Sequence, residues 1–415
     1  MRGFNTLLFV LFALSANAAD GTVGTVSVQK GNNVSVNGEA PLSLTLDGKD
    51  HQSCQFLSKR APDESHEFTW KEVTTTRGGE LAEILGDQLR SVDSLVVKGY
   101  VNDKDFHAMW DASLYGYLSV INLKNAVLEN NAVPDTAFFH ENEQYEGSSH
   151  EIFYYIGLRK IILPEGLEKI GEGAFYQASA LRQVNFPSTL RYIGDFAFNA
   201  TKLEMNQLVI PEGVEEINQY AFAFCRKLKA QVTLPSTIKK IGEWAFYGCP
   251  ITSINLPEGL ESLGSLAFWD CDLREVSIPS SCHEFNEGWQ FGFNRNLEKM
   301  HLPEGMTEIP DHFAVDCFRL REVNFPHTLK HIGEKAFSLC ISLKNVELPL
   351  GMQSLGEEAF SELEALEQIV FPASMKSLGK NSCSYWKNIK RIYCAAIEPP
   401  VCDPTDGGVF SGFDF

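Results

Sequence analysis

The chain is short of positive charge. It carries 35 lysines and arginines against 54 aspartates and glutamates in 415 residues, which gives a formal net charge of −19. Nucleic acids and anionic lipids attract basic surfaces and repel acidic ones. The balance therefore argues against both as partners.

Recognisable catalytic signatures are also missing. The sequence contains no G-x-S-x-G, H-E-x-x-H, Walker A, G-x-G-x-x-G or C-x-x-C motif. His327 and His331 stand four residues apart, a spacing that suits a metal on a helix. The matching positions of an earlier repeat are Ser188 and Tyr192, so we interpret both histidines as exposed polar residues. We predict no enzyme activity, metal or cofactor.

Long hydrophobic runs are absent beyond the first residues. Arg2 precedes the apolar run 7–14, and small residues follow at Ala16 and Ala18. This pattern predicts a secretory signal peptide over residues 1–18, which is too short to span a membrane. The next cysteine is Cys54, so no lipid anchor on a mature N-terminal cysteine is expected. We predict an exported protein without a membrane span, at the cell surface or extracellular, with the periplasm as the alternative.

The chain does contain a four-residue, proline-containing motif that recurs ten times, and we call each copy a corner. Its prolines are spaced by 23, 24, 24, 22, 22, 24, 23, 23 and 23 residues. The corners are LPEG (163–166), FPST (186–189), IPEG (210–213), LPST (234–237), LPEG (256–259), IPSS (278–281), LPEG (302–305), FPHT (325–328), LPLG (348–351) and FPAS (371–374). Each unit reads roughly L-x-x-V-x-F-P-x-x-L-x-x-I-G-x-x-A-F-x-x-C. A period of this length with leucines at fixed offsets is typical of a leucine-rich-repeat solenoid.

The pattern predicts an α/β repeat solenoid of about ten coils of 22–24 residues with short parallel strands. The segment L-x-x-V-x-F alternates like a half-buried strand, and the proline ends it because it has no N–H to donate. Single units cannot bury their apolar residues alone, so stacking must stabilise them. The predicted divisions are a signal peptide (1–18), a β-rich lead-in (19–80), degenerate capping repeats (81–152), the array (153–395) and a C-terminal cap (396–415).

Two features of the repeat call for a physical reason. Glycines follow the inward Leu or Ile, where we expect a tight bend; they are Gly171, Gly194, Gly242, Gly264, Gly333, Gly356 and Gly379. The corners alternate between a Glu-Gly type and a Ser/Thr type, if Leu350-Gly351 counts as the former. Duplication of a two-coil unit explains the alternation, and it keeps like charges ~10 Å apart rather than ~5 Å.

The cysteines fall into two groups. Five recur at one point of the repeat, a few residues after the Ala-Phe pair: Cys225, Cys249, Cys271, Cys317 and Cys340. Export favours disulfides, but a small apolar residue at one interior position favours buried free thiols, which we predict. Cys394 and Cys402 lie close together in the cap, where a disulfide between them is a candidate.

The candidate binding surface is the outward side of the strands. Residues on either side of the central apolar position point away from the core, and over eleven strands they are formally neutral and rich in Asn and Gln. Such a strip suits an extended peptide or glycan, although an ordinary solvated sheet face is the alternative. The candidate residues are Gln183, Asn185, Gln207, Gln231, Thr233, Ser253, Asn255, Glu275, Lys299, His301, Glu322, Asn324, Asn345, Gln368, Arg391 and Tyr393.

The units LPEGLEKIGEGAF and LPSTIKKIGEWAFYGC closely resemble the BspA-like leucine-rich repeats of bacterial secreted and surface proteins. The resemblance runs from about residue 81 to the end. It implies a non-enzymatic scaffold for adhesion or recognition, with a protein or glycan ligand that includes host surface or matrix components. The alternatives are a periplasmic accessory protein that binds a bacterial partner, and an enzyme within residues 19–150.

Overall fold

The computed structural model describes residues 66–139, 156–402 and 408–412, and the backbone of five further strands. Those strands are Gly24–Gln29, Asn33–Gly38, Leu44–Leu46, Gln55–Leu57 and Ile152–Tyr154. The predicted signal peptide and the stretch 140–151 lie outside the described residues. The chain forms two compact units: residues 1–189 with 196–204, and residues 190–195 with 205–415.

The first unit contains a parallel sheet and the two α-helices found among the described residues. Its strands are Trp70–Thr75, Ser94–Val101, Val120–Leu128, Lys160–Ile162 and Gln183–Val184, paired in that order. A second row pairs Ala132–Val133 with Lys169–Ile170. The helices are Leu81–Leu85 and Asp103–Tyr115, with 3-10 turns at Gly86–Ser91 and Glu129–Asn131. Asn102 and Asp105 cap the longer helix through a reciprocal capping box.

Smaller sheets complete the first unit. Gly24–Gln29 pairs antiparallel with Asn33–Gly38 and parallel with Leu44–Leu46. Gln55–Leu57 pairs parallel with Ile152–Tyr154. Four of these strands lie between residues 24 and 57. Trp70–Thr75 is different, because it pairs with Ser94–Val101 in the main parallel sheet.

The second unit consists of short parallel strands in two rows, one strand of each row per coil. The first row is Gln207–Val209, Gln231–Thr233, Ser253–Asn255, Glu275–Ser277, Lys299–His301, Glu322–Asn324, an isolated bridge at Asn345, Gln368–Phe371 and Arg391–Cys394. The second row is Tyr192–Ile193, Glu216–Ile217, Lys240–Ile241, Ser262–Leu263, Glu284–Phe285, Glu308–Ile309, His331–Ile332, Ser354–Leu355, Ser377–Leu378 and Val401–Cys402. The predicted solenoid of short parallel strands is confirmed. In this unit the return path of the described coils is a two-residue strand and turns, with no helix.

Most coils place one phenylalanine at the centre of the second unit, and Cys383 takes its place in the last coil. Phe222, Phe246, Phe268 and Phe291 are fully buried, and successive ring centroids lie 5.3, 5.6 and 5.6 Å apart with nearly parallel planes. Stacked aromatic rings bury large apolar areas in a fixed geometry. The phenylalanine of the repeat therefore packs each of these four coils against the next.

The glycines after the inward Leu or Ile serve close approach between coils, which corrects the expected bend. A Cβ on Gly264 would lie 2.4 Å from the backbone nitrogen of Glu243, and one on Gly356 would lie 2.6 Å from that of Glu334. Neither glycine has a positive φ. The left-handed residues come two and six positions after the glycine; after Gly264 they are Leu266 (φ 57°) and Asp270 (φ 54°). Glycine is required here because a neighbouring backbone occupies the place of a side chain.

Hydrogen bonds join each Glu-Gly corner to the Ser/Thr corner of the following coil, and we call this set of bonds a clamp. The Thr237 hydroxyl accepts a hydrogen bond from the N–H of Gly213 (2.9 Å) and donates to the carbonyl of Val214 (2.8 Å). In return, the Glu212 carboxylate accepts from the Ser236 N–H (3.1 Å) and hydroxyl (3.0 Å). The same clamp joins 165–167 to 188–189, 258–260 to 280–281, and 304–306 to 327–328. The two corner types therefore alternate because each supplies the hydrogen-bonding groups that the other needs.

The last corner pair lacks half of this clamp. Leu350 replaces the glutamate, and Gly351 is not left-handed, unlike Gly305 (φ 96°). Ser374 still donates to the carbonyls of Leu350 and Met352, both at 2.6 Å. Counting LPLG with the Glu-Gly corners therefore matches its place in the alternation and does not match its conformation.

The five repeated cysteines are free and buried, as predicted. The Cys249 thiol donates to the carbonyl of Phe222 in the previous coil at 2.9 Å, and Cys340 donates to that of Ala314 at 3.3 Å. Asn294 takes this position in one coil, where its amide donates to the carbonyl of Phe268 at 2.6 Å. In these coils the side chain at this position donates to the backbone of the preceding coil, which gives cysteine a role there without pairing.

Candidate ligand-binding face

The first strand row of the second unit presents the predicted residues in two columns. Gln207, Gln231 and Ser253 lie side by side in register, and the second column runs Val209, Thr233 and Asn255. The residue between the columns is buried in each of these strands, and the flanking residues are exposed. The predicted alternation is therefore present. We call these two columns, from residue 207 to residue 393, the strand face.

The central charges of the strand face pair with one another. Lys299 lies 3.1 Å from the Glu322 carboxylate, and the His301 imidazole lies 3.2 Å from that of Glu275. Near the C-terminal end, Arg391 donates to the Gln368 amide oxygen at 2.9 Å. Pairs this exposed contribute little to stability. The Lys299–Glu322 pair cancels its own charge, and with neutral histidines the strand face carries Lys299 and Arg391 against Glu275, Glu322 and Glu347, a formal charge of −1.

Two asparagines that were predicted to contact a ligand instead form hydrogen bonds to the protein backbone. Asn324 accepts from the Leu302 N–H at 2.9 Å and donates to the Leu302 carbonyl at 3.0 Å. Asn185 makes the same pair of bonds to Leu163, at 2.7 and 3.0 Å. Each side chain extends the sheet by one peptide group. We therefore reassign Asn185 and Asn324 from binding to holding the preceding coil.

In contrast, Gln207, Gln231, Ser253, Thr233 and Asn255 make no side-chain hydrogen bond to another described residue. They are exposed, and Val209, whose exposed fraction is 52%, lies beside Thr233 on the same face. This group offers amide and hydroxyl donors and acceptors beside an apolar contact. It is the part of the strand face best suited to hold a ligand.

The first unit has an equivalent surface that the sequence analysis missed. Trp70 is 64% exposed on the outward side of its strand, in register with Ser94 and Val120. Lys98 pairs with Glu72 at 2.6 Å one step along. The signal was the alternation in SLVVKGYV, where the buried residues are Leu95, Val97 and Val101.

A pocket of about 480 Å³ lies on this surface of the first unit. Its polar lining comprises Lys124, Lys160, Glu165, Gln183 and Asn185, and its apolar lining comprises Ile161, Ile162, Leu163 and Val184. Gln183 and Asn185 were predicted. Lys124 was not, because it belongs to an irregular stretch of its strand.

The cap disulfide is not formed in the structure. Cys394 and Cys402 are both free and exposed. Cys394 pairs with Phe371 in the first strand row, whereas Cys402 pairs with Leu378 in the second. Nearness in sequence misled the prediction because the chain changes row between the two cysteines.

The two histidines of HTLKH have separate partners. His327 bonds to Glu304 at 2.9 Å, within a clamp, and His331 bonds to the Ser354 hydroxyl at 2.7 Å. Over the residues that the structure describes, no cluster of three His, Cys, Asp or Glu side chains is arranged to hold a metal. The same residues contain no helix of sufficient length and apolarity to cross a bilayer.

The repeat can be compared with known families. A model described as the BspA type leucine rich repeat region matches residues 148–231, 229–340 and 313–396, with six copies of the repeat. These matches cover more than half of the 415 residues. The chain belongs to this family. The BspA-type match agrees with the resemblance that the LPEG and LPST units carry.

One solved structure shows the same fold, and two others have a weaker likeness. A leucine-rich repeat protein from Bacteroides ovatus matches with a TM-score of 0.51 at 21% identity, over 89% of this chain and 92% of its own. A leucine-rich cell surface protein from Faecalibacterium prausnitzii matches at 0.36 and 20% identity, over 64% and 83%. The pneumococcal vaccine antigen PcpA matches at 0.37 and 17%, over 91% and 89%. No curated protein matches the chain.

Proposed function

We propose that this protein is a non-enzymatic, exported scaffold that holds an extended protein or glycan ligand along its strand face. Membership of the BspA-type family supports a binding scaffold. Recognition or adhesion at the bacterial surface, with host surface or matrix components among the ligands, is the specific form of this proposal.

The observation that carries the proposal is the contrast between bonded and unbonded polar groups. Among the described residues of the strand face, the central charges pair, while the side chains at Gln207, Gln231 and Ser253 bond to no other described residue. Nine strand positions at ~4.8 Å spacing make a surface roughly 40 Å long. An extended chain fits such a surface better than a compact one.

The test is a binding experiment on a glycan array and on immobilised matrix proteins. We expect Gln207→Ala/Gln231→Ala/Ser253→Ala to weaken the strongest interaction at least tenfold while circular dichroism and thermal melting stay unchanged. Asn286→Ala, an exposed amide beside the second strand row, is the matched control. Full binding by the triple variant would remove the strand face as the binding site.

Location is tested separately by protease treatment of intact and permeabilised cells. Loss of the protein from intact cells is expected for surface display. Protection until permeabilisation would favour the periplasmic alternative and a bacterial partner. A catalytic activity that survived the triple variant and mapped to residues 19–150 would favour the enzyme alternative.

A further inference from the structure

The pocket of the first unit differs from the rest of the strand-bearing surface in its charge. Two ammonium groups, Lys124 and Lys160, line it, and only one carboxylate, Glu165, does so. That carboxylate accepts hydrogen bonds from the Ser188 N–H (3.2 Å) and hydroxyl (3.0 Å) of the neighbouring corner. The lining is thus net positive on a chain whose formal charge is −19.

Neither lysine of the pocket has an ion-pair partner among the described residues. By contrast, Lys98 on the same sheet lies 2.6 Å from Glu72, and Lys299 of the second unit lies 3.1 Å from Glu322. Lys160 is in register with Val120, four residues before Lys124 on the neighbouring strand, and both lysines line the same pocket. Such groups attract an anion and form charge-assisted hydrogen bonds with it.

A β-bulge places Lys124 at the pocket. Val96 pairs with Asn122 and Lys98 pairs with Asn125, so Leu123 and Lys124 together face the single residue Val97. The Asn122 side-chain oxygen accepts from the Lys124 N–H at 3.0 Å and holds the bulge. Lys160 belongs to the adjacent strand, in register with Val120. Bulges commonly redirect a side chain toward a functional site.

The apolar lining indicates what the anion is attached to. Half-buried Ile162 and Val184 lie beside the lysines, and Gln183 adds an exposed amide. No aromatic residue lines the pocket, so it lacks the flat ring against which a sugar stacks. We propose that the pocket binds an acidic peptide segment. Lys124 and Lys160 pair with its carboxylates, Gln183 donates to one of them, and the aliphatic residues contact their methylene stems.

This proposal rests on the proposed function, since it names the ligand class for one part of the same kind of surface. Its test uses fluorescence anisotropy on the full-length protein with a labelled peptide, Gly-Leu-Glu-Glu-Leu-Gly-amide. The partner probe has glutamine at both glutamates. We expect the acidic peptide to bind at least tenfold more tightly than the glutamine peptide, and its affinity to fall as salt rises from 50 to 500 mM.

The variant Lys124→Gln/Lys160→Gln should bind the acidic peptide at least tenfold more weakly than the wild type. Lys227→Gln/Lys229→Gln, which removes the same charge from exposed positions of the second unit, should bind it as the wild type does. Equal affinity for the two peptides, absence of binding, or an unaffected pocket variant would overturn the proposal.

An oligogalacturonate probe separates the two sources of a carboxylate. If it binds through the pocket lysines and the peptide does not, the peptide assignment is wrong. The strand-face triple variant separates this proposal from the broader one. If that variant loses its array ligand while the pocket variant has no effect on any probe, only the pocket proposal fails.

Discussion

The corners and the strand face of the second unit contain the same types of polar residue, but these residues bond differently in the two places. In the corners, Thr237 bonds to the preceding coil and Glu212 to the following one, and after the second-row strand the backbones approach too closely for a Cβ at Gly264. On the strand face, Gln231 and Thr233 project without a bond to another described residue. Most of the bonds between coils therefore lie away from the strand face, and substitutions should separate stability from the proposed recognition.

The sharpest contrast is in thiol reactivity. Burial raises the pKa of the Cys249 thiol well above its ordinary value, whereas Cys394 on the strand-face row is exposed. Since thiolates are the reactive form, and a buried thiol reacts only after opening, we expect Cys249 to alkylate at least about a thousandfold more slowly. Iodoacetamide labelling of the native protein, followed by peptide mass spectrometry, measures both rates. Similar rates would mean that the coils open readily.

The largest loss of stability should come from the close approach between coils. Gly264→Ala forces a Cβ against the backbone of Glu243, and overpacking of this kind typically costs about 1–3 kcal/mol. Ser253→Ala, in the same coil but on the strand face, is the control and should leave the melting temperature unchanged. Thermal denaturation followed by circular dichroism compares them. A Gly264→Ala protein as stable as the control would show that the neighbouring coil moves away at little cost.

Breaking a clamp should cost less. Thr237→Val keeps the shape of the side chain but leaves the Gly213 N–H and the Val214 carbonyl without this partner. We expect a loss of about 1–2 kcal/mol, measured by denaturant titration. Ser374→Ala in the incomplete last clamp removes bonds to two carbonyls only and should cost less. If the two variants were equally destabilised, the glycine N–H would add nothing to the clamp.

The fold was predictable because its signals are local. Proline ends each strand, apolar residues alternate, and ten copies average out the exceptions. The role of Gly264 was not, because the atom that excludes its Cβ belongs to the coil before it. Asn324 and Gln231 look alike in sequence, yet only Asn324 reaches the backbone of the preceding coil. Lys124 was missed because a bulge changes which side a residue faces, and no repeat pattern records it.

Two residues of the strand face, one bonded to the preceding coil and one not, should differ in their effect on stability. Asn324→Ala removes two bonds to Leu302, so we expect about 1 kcal/mol of destabilisation. Gln231→Ala, at an exposed position of the same row, should be neutral within about 0.5 kcal/mol. Denaturation midpoints of the two variants decide. A neutral Asn324→Ala would return this residue to the candidate ligand contacts.

The smallest effect concerns pH. Hydrogen bonds from the His327 side chain and backbone lower the pKa of the exposed Glu304 below 4.5. A carboxyl whose pKa is lowered by folding stabilises the folded state at pH values above its ordinary pKa. This stabilisation is lost as the pH falls through the pKa of the folded state. Glu304→Gln should thus melt slightly lower than the wild type at pH 7, and the difference should vanish near pH 3. A difference that persisted at pH 3 would show that the charge is not what matters.

The clamp also constrains how the array can change in length. Adding or deleting a single coil would set two glutamate corners side by side, or two Ser/Thr corners, and neither pair has complementary bonding groups. Adding or deleting two coils preserves every junction. Prolines of successive Glu-Gly corners, counting LPLG as the last, are 46 or 47 residues apart. Variants of this scaffold with longer or shorter reach should therefore be built in steps of that length.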